Sequence, residues 1–204
     1  MSVVEYWNRS AFLAFNAGAH APAYVIAVAR LLASWSIYLA PVLLMCGWVR
    51  CGKVVRFALL DATFAALIGL ALAQGISAIW YRPRPFEMGL GRQLLDHAAE
   101  ASFPSDHATL VFCLAIPLLS HTGARLWGAA FLALSVATAW SRIYLGVHFP
   151  LDMIGAFGVA SIASLVIGMA GPHLRRRFFP ALISIYEMLL RRLFLPQAIF
   201  PRNP

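Results

Sequence analysis

The chain has 204 residues, 61% of them hydrophobic and only 12% charged. A soluble domain carries about 25% charged residues, so the composition excludes a soluble globular protein and points to one integral-membrane domain, residues 1–204. The net charge of +8 reads as a topology signal and an anionic-lipid contact, not a nucleic-acid-binding face, because no soluble basic surface is available.

The first twenty residues mix Glu5, Asn8, Arg9 and Asn16 with Val4, Trp7, Phe12 and Phe15. This is not a charged region followed by an apolar run, so no cleavable signal is expected. Residues 1–22 read as an interfacial helix with Tyr6 and Trp7 as anchors. Apolar stretches then follow at 23–48, 57–80, 108–120, 126–140 and 153–170. A span needs about 20 residues, so the third and fourth must extend into flanking polar motifs, from near Ser105 and on to Arg142. Such polar ends are tolerated where they face a protein-lined cavity. No stretch alternates like a membrane barrel strand. From 178 to 195 apolar residues alternate with Glu187, Arg191 and Arg192, which reads as a surface-lying helix within a basic cytoplasmic tail, 171–204. The expected fold class is therefore all-α: a polytopic helix bundle with five transmembrane helices and interfacial helices at both termini. A sixth span arises only if the amino-terminal helix inserts. Cys46, Cys51 and Cys113 show neither a disulfide framework nor zinc spacing and read as small buried residues.

Lysine and arginine set the orientation. With the 50–56 loop inside, Arg50, Lys53, Arg56, Arg125, Arg175, Arg176, Arg177, Arg191, Arg192 and Arg202 share that side. Arg9, Arg82, Arg84, Arg92 and Arg142 fall on the other, with most of the acidic residues.

Three polar clusters abut the spans on that outer side. Arg82-Pro83-Arg84-Pro85-Phe86 holds arginines on a proline-stiffened chain, suited to grip phosphate with a planar fork. Phe103-Pro104-Ser105-Asp106-His107 resembles a helix start, where a serine cap, free amides and the positive dipole end attract anions. Ser141-Arg142, then His148 and Asp152 four residues apart, puts a carboxylate one turn from an imidazole. There it can fix the tautomer and leave the other nitrogen as a nucleophile. Each cluster has a plainer reading: headgroup-touching arginines, a capping serine with an interfacial histidine, a structural His–Asp pair. Their convergence on one side, under an orientation derived from other residues, argues against three coincidences.

Arg84-Pro85, Pro104-Ser105-Asp106-His107, and Ser141-Arg142 followed by His148 and Asp152 resemble the type 2 phosphatidic acid phosphatase superfamily, across residues 77–152. Two departures are evident. Ser77 stands where that superfamily usually has lysine, and Asp106 where it usually has glycine. Both point to a narrower resemblance, carried also by His97 to Phe103: the bacitracin-resistance type of undecaprenyl pyrophosphate phosphatase.

The resemblance implies a multi-pass protein of the bacterial cytoplasmic (inner) membrane with its site facing outward. It implies removal of a phosphate from undecaprenyl pyrophosphate, which recycles the cell-wall lipid carrier. His148 attacks phosphorus and forms a phosphohistidine, Asp152 orients it, and His107 protonates the leaving group. Arg84, Arg142 and the Ser105 hydroxyl and amides hold the phosphoryl oxygens. Arg82 stands in for the missing lysine, and Asp106 and Glu100 pair with it or serve the loop. No cofactor and no metal are expected. The partners are a polyprenyl pyrophosphate lipid and the bilayer, with bacitracin competing indirectly by binding substrate; nucleic acid is not among them. His20, His97, His121 and His173, outside the motifs, are expected to be interfacial or structural. The alternative substrates are phosphatidylglycerol phosphate and phosphatidic acid. A transporter would place its polar residues nearer the midplane and in repeated halves. The soluble vanadate-binding peroxidases of the same superfamily would lack the spans.

Overall fold

A computed structural model describes residues 2–193, and the elements among them are helical. In chain order they are α1 (Val3–Phe15), α2 (Ala23–Arg50), α3 (Lys53–Ile79), a short 3-10 turn (Phe86–Met88), α4 (Asp106–Ser120), a second 3-10 turn (Thr122–Ala124), α5 (Arg125–Tyr144) and α6 (Pro150–Arg192). α2, α3, α5 and α6 contain apolar windows long enough to cross a membrane, and α4 is a shorter apolar helix. The five expected spans are therefore five helices of one bundle.

Small residues let these helices approach closely. On α3, Ala58, Ala62, Ala65, Ala66, Gly69 and Ala73 are buried in one stripe, the kind of surface that packs helices without a hydrophobic drive from solvent. A side chain added at Gly69 would meet Cys113 Sγ of α4 at 2.3 Å. α4 sits centrally, against α3, α5 and α6. Its 15 residues span about 22 Å, against about 30 Å of hydrocarbon. Its polar first turn meets α3 at Gln74, before that helix ends at Ile79.

α1 is a helix where the sequence predicts one. Ser2 caps it by accepting from the Glu5 amide at 3.2 Å. Its buried face docks on the bundle. Asn8 Oδ1 accepts from Leu151 N at 3.0 Å, and Phe12 meets Phe149 edge-on with ring centroids 5.2 Å apart.

The tail differs from expectation. Instead of a separate surface helix beginning near 178, α6 continues from Pro150 through Arg192, with Pro172 and Pro180 inside it. Protein, not lipid alone, covers its inner face. Phe178 packs on Phe64, Phe179 on Phe57, and the Tyr186 hydroxyl donates to Val49 O at 3.4 Å. Residues 194–204, the end of the expected tail, lie outside the described residues. Of the cysteines, Cys113 is buried as expected, Cys51 is half-buried and Cys46 is exposed on α2.

Candidate active site

The carboxyl ends of α3 and α5 and the amino ends of α4 and α6 lie together at one end of the bundle, with the loop from 80 to 105 between them. All three motif clusters meet there. The turn between α5 and α6 is tight: Gly146 has φ +81°, and a Cβ there would lie 2.1 Å from Arg92 O. That close approach requires glycine and delivers His148 just before α6.

His148 is 2% exposed and Asp152 fully buried. His148 Nδ1 lies 3.2 Å from Asp152 Oδ2. The carboxylate can only accept, so the proton sits on Nδ1 and Nε2 carries the lone pair. Asp152 Oδ2 also accepts from the Phe149 amide at 2.7 Å and from the Ser102 hydroxyl at 2.5 Å. The Ser102 oxygen lies 3.3 Å from His148 Nδ1 as well. Three elements thus fix one carboxylate oxygen, and through it one imidazole tautomer.

Two arginines face the bare Nε2. Arg84 Nη1 lies 2.9 Å from it and Arg142 Nη2 3.4 Å from it. Arg84 is pinned by backbone carbonyls, donating to Glu100 O, Val147 O and Ala101 O at 2.9–3.2 Å. Arg142 is 2% exposed and donates to Ala33 O at 3.3 Å, while its Nε is buried without a partner among the described residues. Neither guanidinium forms an ion pair there. Two adjacent unneutralised guanidiniums and an orphaned donor describe an anion site. Burial first, then the fields of Arg142 and Arg84, hold His148 well below the ordinary histidine range, so it is neutral at neutral pH. Burial also lowers Arg84 from its usual value, with Asp152, Glu100, Glu87 and Asp106 acting against the shift. It remains a cation.

Ser105 caps α4, accepting from Ala108 N at 3.5 Å, and its own amide donates to Asp152 O at 3.3 Å. It locks the two motifs together, so the expected role of its amide in gripping phosphate does not fit. The first-turn amides of Asp106 and His107 have no acceptor among the described residues and are the anion donors α4 offers. His107 is half-buried on that turn, within the electrostatic field of the same arginines.

The other candidates part company. Arg82 points behind the site. It pairs with Glu5 at 2.7 Å, approaches Asp152 Oδ1 at 3.6 Å and lies over the Phe149 ring. It supports the orienting carboxylate and does not replace a phosphate-binding lysine. Asp106 accepts from Gln74 Nε2 at 2.7 Å, and Glu100 serves through its backbone oxygen; neither pairs with Arg82. Ser77, at the position of that lysine, donates to Phe103 O at 3.1 Å and ties α3 to the loop.

Sequence reasoning missed Ser102, Glu5 and His97. Ser102 and Glu5 reach the site only through the fold, and no spacing marks them. His97, read as interfacial or structural, lies edge-on to His148 with ring centroids 6.2 Å apart. Of the other histidines, His121 bonds Asp61 at the opposite end, and His20 and His173 are exposed. Among the described residues no group of three or more His, Cys, Asp or Glu is placed to hold a metal.

The chain is similar to known proteins over most of its length. The chain is 32% identical over 91% of its length, and 93% of the relative, to "Putative undecaprenyl-diphosphatase YbjG" of Escherichia coli (strain K12). It is 28% identical over 91% of its length, and 95% of the relative, to undecaprenyl-diphosphatase BcrC of Bacillus subtilis (strain 168). Its fold matches the crystal structure of Aquifex aeolicus LpxE with a TM-score of 0.66 at 22% identity, covering 81% of this chain and 98% of that one. The PAP2 superfamily model matches residues 58–176, more than half of the chain and all three motif clusters: the chain belongs to the PAP2 superfamily.

Proposed function

We propose that the protein removes the terminal phosphate of undecaprenyl pyrophosphate, as a single membrane domain with the site at the outer face of the bacterial cytoplasmic membrane. The observation that carries the chemistry is the bare Nε2 of His148, held by Asp152 and faced by Arg84 and Arg142. The substrate class follows from the relatives named undecaprenyl-diphosphatase. Lysine and arginine lie mostly at the end of the bundle away from the site, which supports the outward orientation.

The lone pair on His148 Nε2 attacks the terminal phosphorus. The negative charge of the bound diphosphate draws a proton from solvent onto His107. The bond from phosphorus to the bridging oxygen breaks, and that oxygen keeps the electron pair and takes that proton. The lipid monophosphate leaves. His148 now bears the phosphoryl group on Nε2, and the resulting positive charge rests against Asp152. Water attacks the phosphorus, its proton passes to His107, the nitrogen–phosphorus bond breaks, and phosphate departs. Arg84, Arg142 and the first-turn amides of α4 neutralise the equatorial oxygens throughout. Recycling of the carrier in this way would counter bacitracin, which competes by binding the substrate.

The test is phosphate release by purified protein from undecaprenyl pyrophosphate, phosphatidylglycerol phosphate and phosphatidic acid, with and without chelator. The reading expects the pyrophosphate to be preferred and the rate to survive chelation, since guanidiniums supply the positive charge. A preference for either monophosphate ester would contradict the substrate; loss of activity in chelator would contradict the mechanism.

A further inference from the structure

His97 belongs to none of the three motifs, yet the loop before α4 brings its half-buried ring edge-to-face against that of the nucleophile. Its Nδ1 lies 3.1 Å from Ala98 O. A carbonyl can only accept, so the proton sits on Nδ1 and Nε2 is bare while the ring is neutral. The charged and titratable groups around it are Arg84, Arg142, Glu100, His107 and His148. Burial first, then the two arginines, hold it below the ordinary histidine range, with the Ala98 bond and Glu100 acting against the shift.

The transferred phosphoryl group is already surrounded without His97. His148, two guanidinium forks, the first-turn amides of α4 and His107 account for its attack, its oxygens and its leaving group. A lipid diphosphate carries a second phosphate with charge of its own, and none of those groups is assigned to it.

We propose that His97 contacts this second, leaving phosphate and so makes the site select lipid diphosphates over lipid monophosphates. The assignment rests on the phosphatase reading above. The negative charge of a bound diphosphate favours the charged ring against both its burial and the fields of Arg84 and Arg142. Nε2 then takes a proton from solvent, and the imidazolium donates a charge-assisted hydrogen bond to a non-bridging oxygen. The proton returns to solvent when the lipid monophosphate leaves. His107 keeps the separate task of protonating the bridging oxygen.

The experiment compares the full-length wild type with His97→Ala and His97→Gln. It measures kcat/KM on a polyprenyl diphosphate across pH and the inhibition constants of inorganic pyrophosphate and inorganic phosphate. His97→Ala should lower kcat/KM by about 10- to 100-fold and weaken pyrophosphate to a similar degree. Phosphate inhibition should hold within about twofold, which also reports an intact site. His97→Gln keeps a neutral donor; it should recover part of the loss and flatten the pH dependence of KM. Equal weakening of both inhibitors, or of neither, overturns the assignment while leaving the phosphatase reading in place. A wild type that releases no phosphate from the lipid diphosphate overturns both.

Discussion

Two buried carboxylates, one at each end of the bundle, are built from the same parts and arranged differently. Asp61 on α3 accepts from His121 Nε2 at 3.0 Å and Arg175 Nη1 at 2.7 Å. Asp152 on α6 accepts from His148, Ser102 and the Phe149 amide. At Asp61 the arginine bonds the carboxylate directly, and the charge is closed within the cluster. At Asp152 one arginine, Arg82, approaches the other carboxylate oxygen at 3.6 Å from behind, while two more, Arg84 and Arg142, address the imidazole and leave their positive charge for a ligand. A His–Asp pair with an arginine nearby is therefore not in itself a site. What distinguishes the pair proposed to act is the side of the imidazole on which two further cations stand.

The largest effect should come from breaking each pair in turn. His148→Ala should lower phosphate release by about 10³-fold or more, since nucleophile and general acid act as a unit. Asp61→Asn should leave kcat near wild type and lower Tm by several degrees, because it disturbs an ion pair joining α3 and α6. Loss of turnover in Asp61→Asn with an unchanged Tm would erase the contrast.

Next in size is the anion-binding half. Arg142→Ala should cost about 10²- to 10³-fold in kcat. Arg142→Lys should recover only a fraction, because an ammonium cannot present two donors to one phosphoryl group. Full recovery by lysine would mean that Arg142 supplies charge and not geometry. Ser102→Ala removes one donor from the Asp152 oxygen and should cost about 10-fold. An unaffected kcat would show that the hydroxyl does not help hold the tautomer.

The smallest effect is on stability against pH. The folded state holds His148 well below its usual value, chiefly through burial, while the unfolded chain takes up a proton near pH ~6.5. The unfolded state then binds more protons, so stability is fully present above about pH 6.5 and falls as pH drops below it. Thermal unfolding of wild type against His148→Asn between roughly pH 7 and 5 checks the sign: the wild type should lose Tm faster on acidification. A parallel decline would assign the loss to other groups.

Much of this was legible in the sequence, because membrane spans and site motifs each leave a local mark. The five apolar stretches became α2 to α6, and the spacing from Arg142 to His148 and Asp152 gave a pair within hydrogen-bond reach. What remained hidden depends on contacts between distant segments. Glu5 reaches Arg82 across 77 residues and Ser102 reaches Asp152 across 50, and neither separation has a period to detect. Arg82 was misassigned because alternation with proline marks a stiff arginine but not its direction. The continuation of α6 past Pro172 and Pro180 was missed for a related reason. Proline normally ends a helix, and only packing of Phe178, Phe179 and Tyr186 against α2 and α3 shows why this one runs on.

The most direct test of the account is to trap the phosphoryl-enzyme. Protein mixed with a polyprenyl diphosphate labelled in its terminal phosphate and quenched in base should carry label on His148. That bond should be stable in base and labile in acid, and it should be absent from His148→Ala. Phosphate release at full rate with no label on His148, or label retained in His148→Ala, would contradict it.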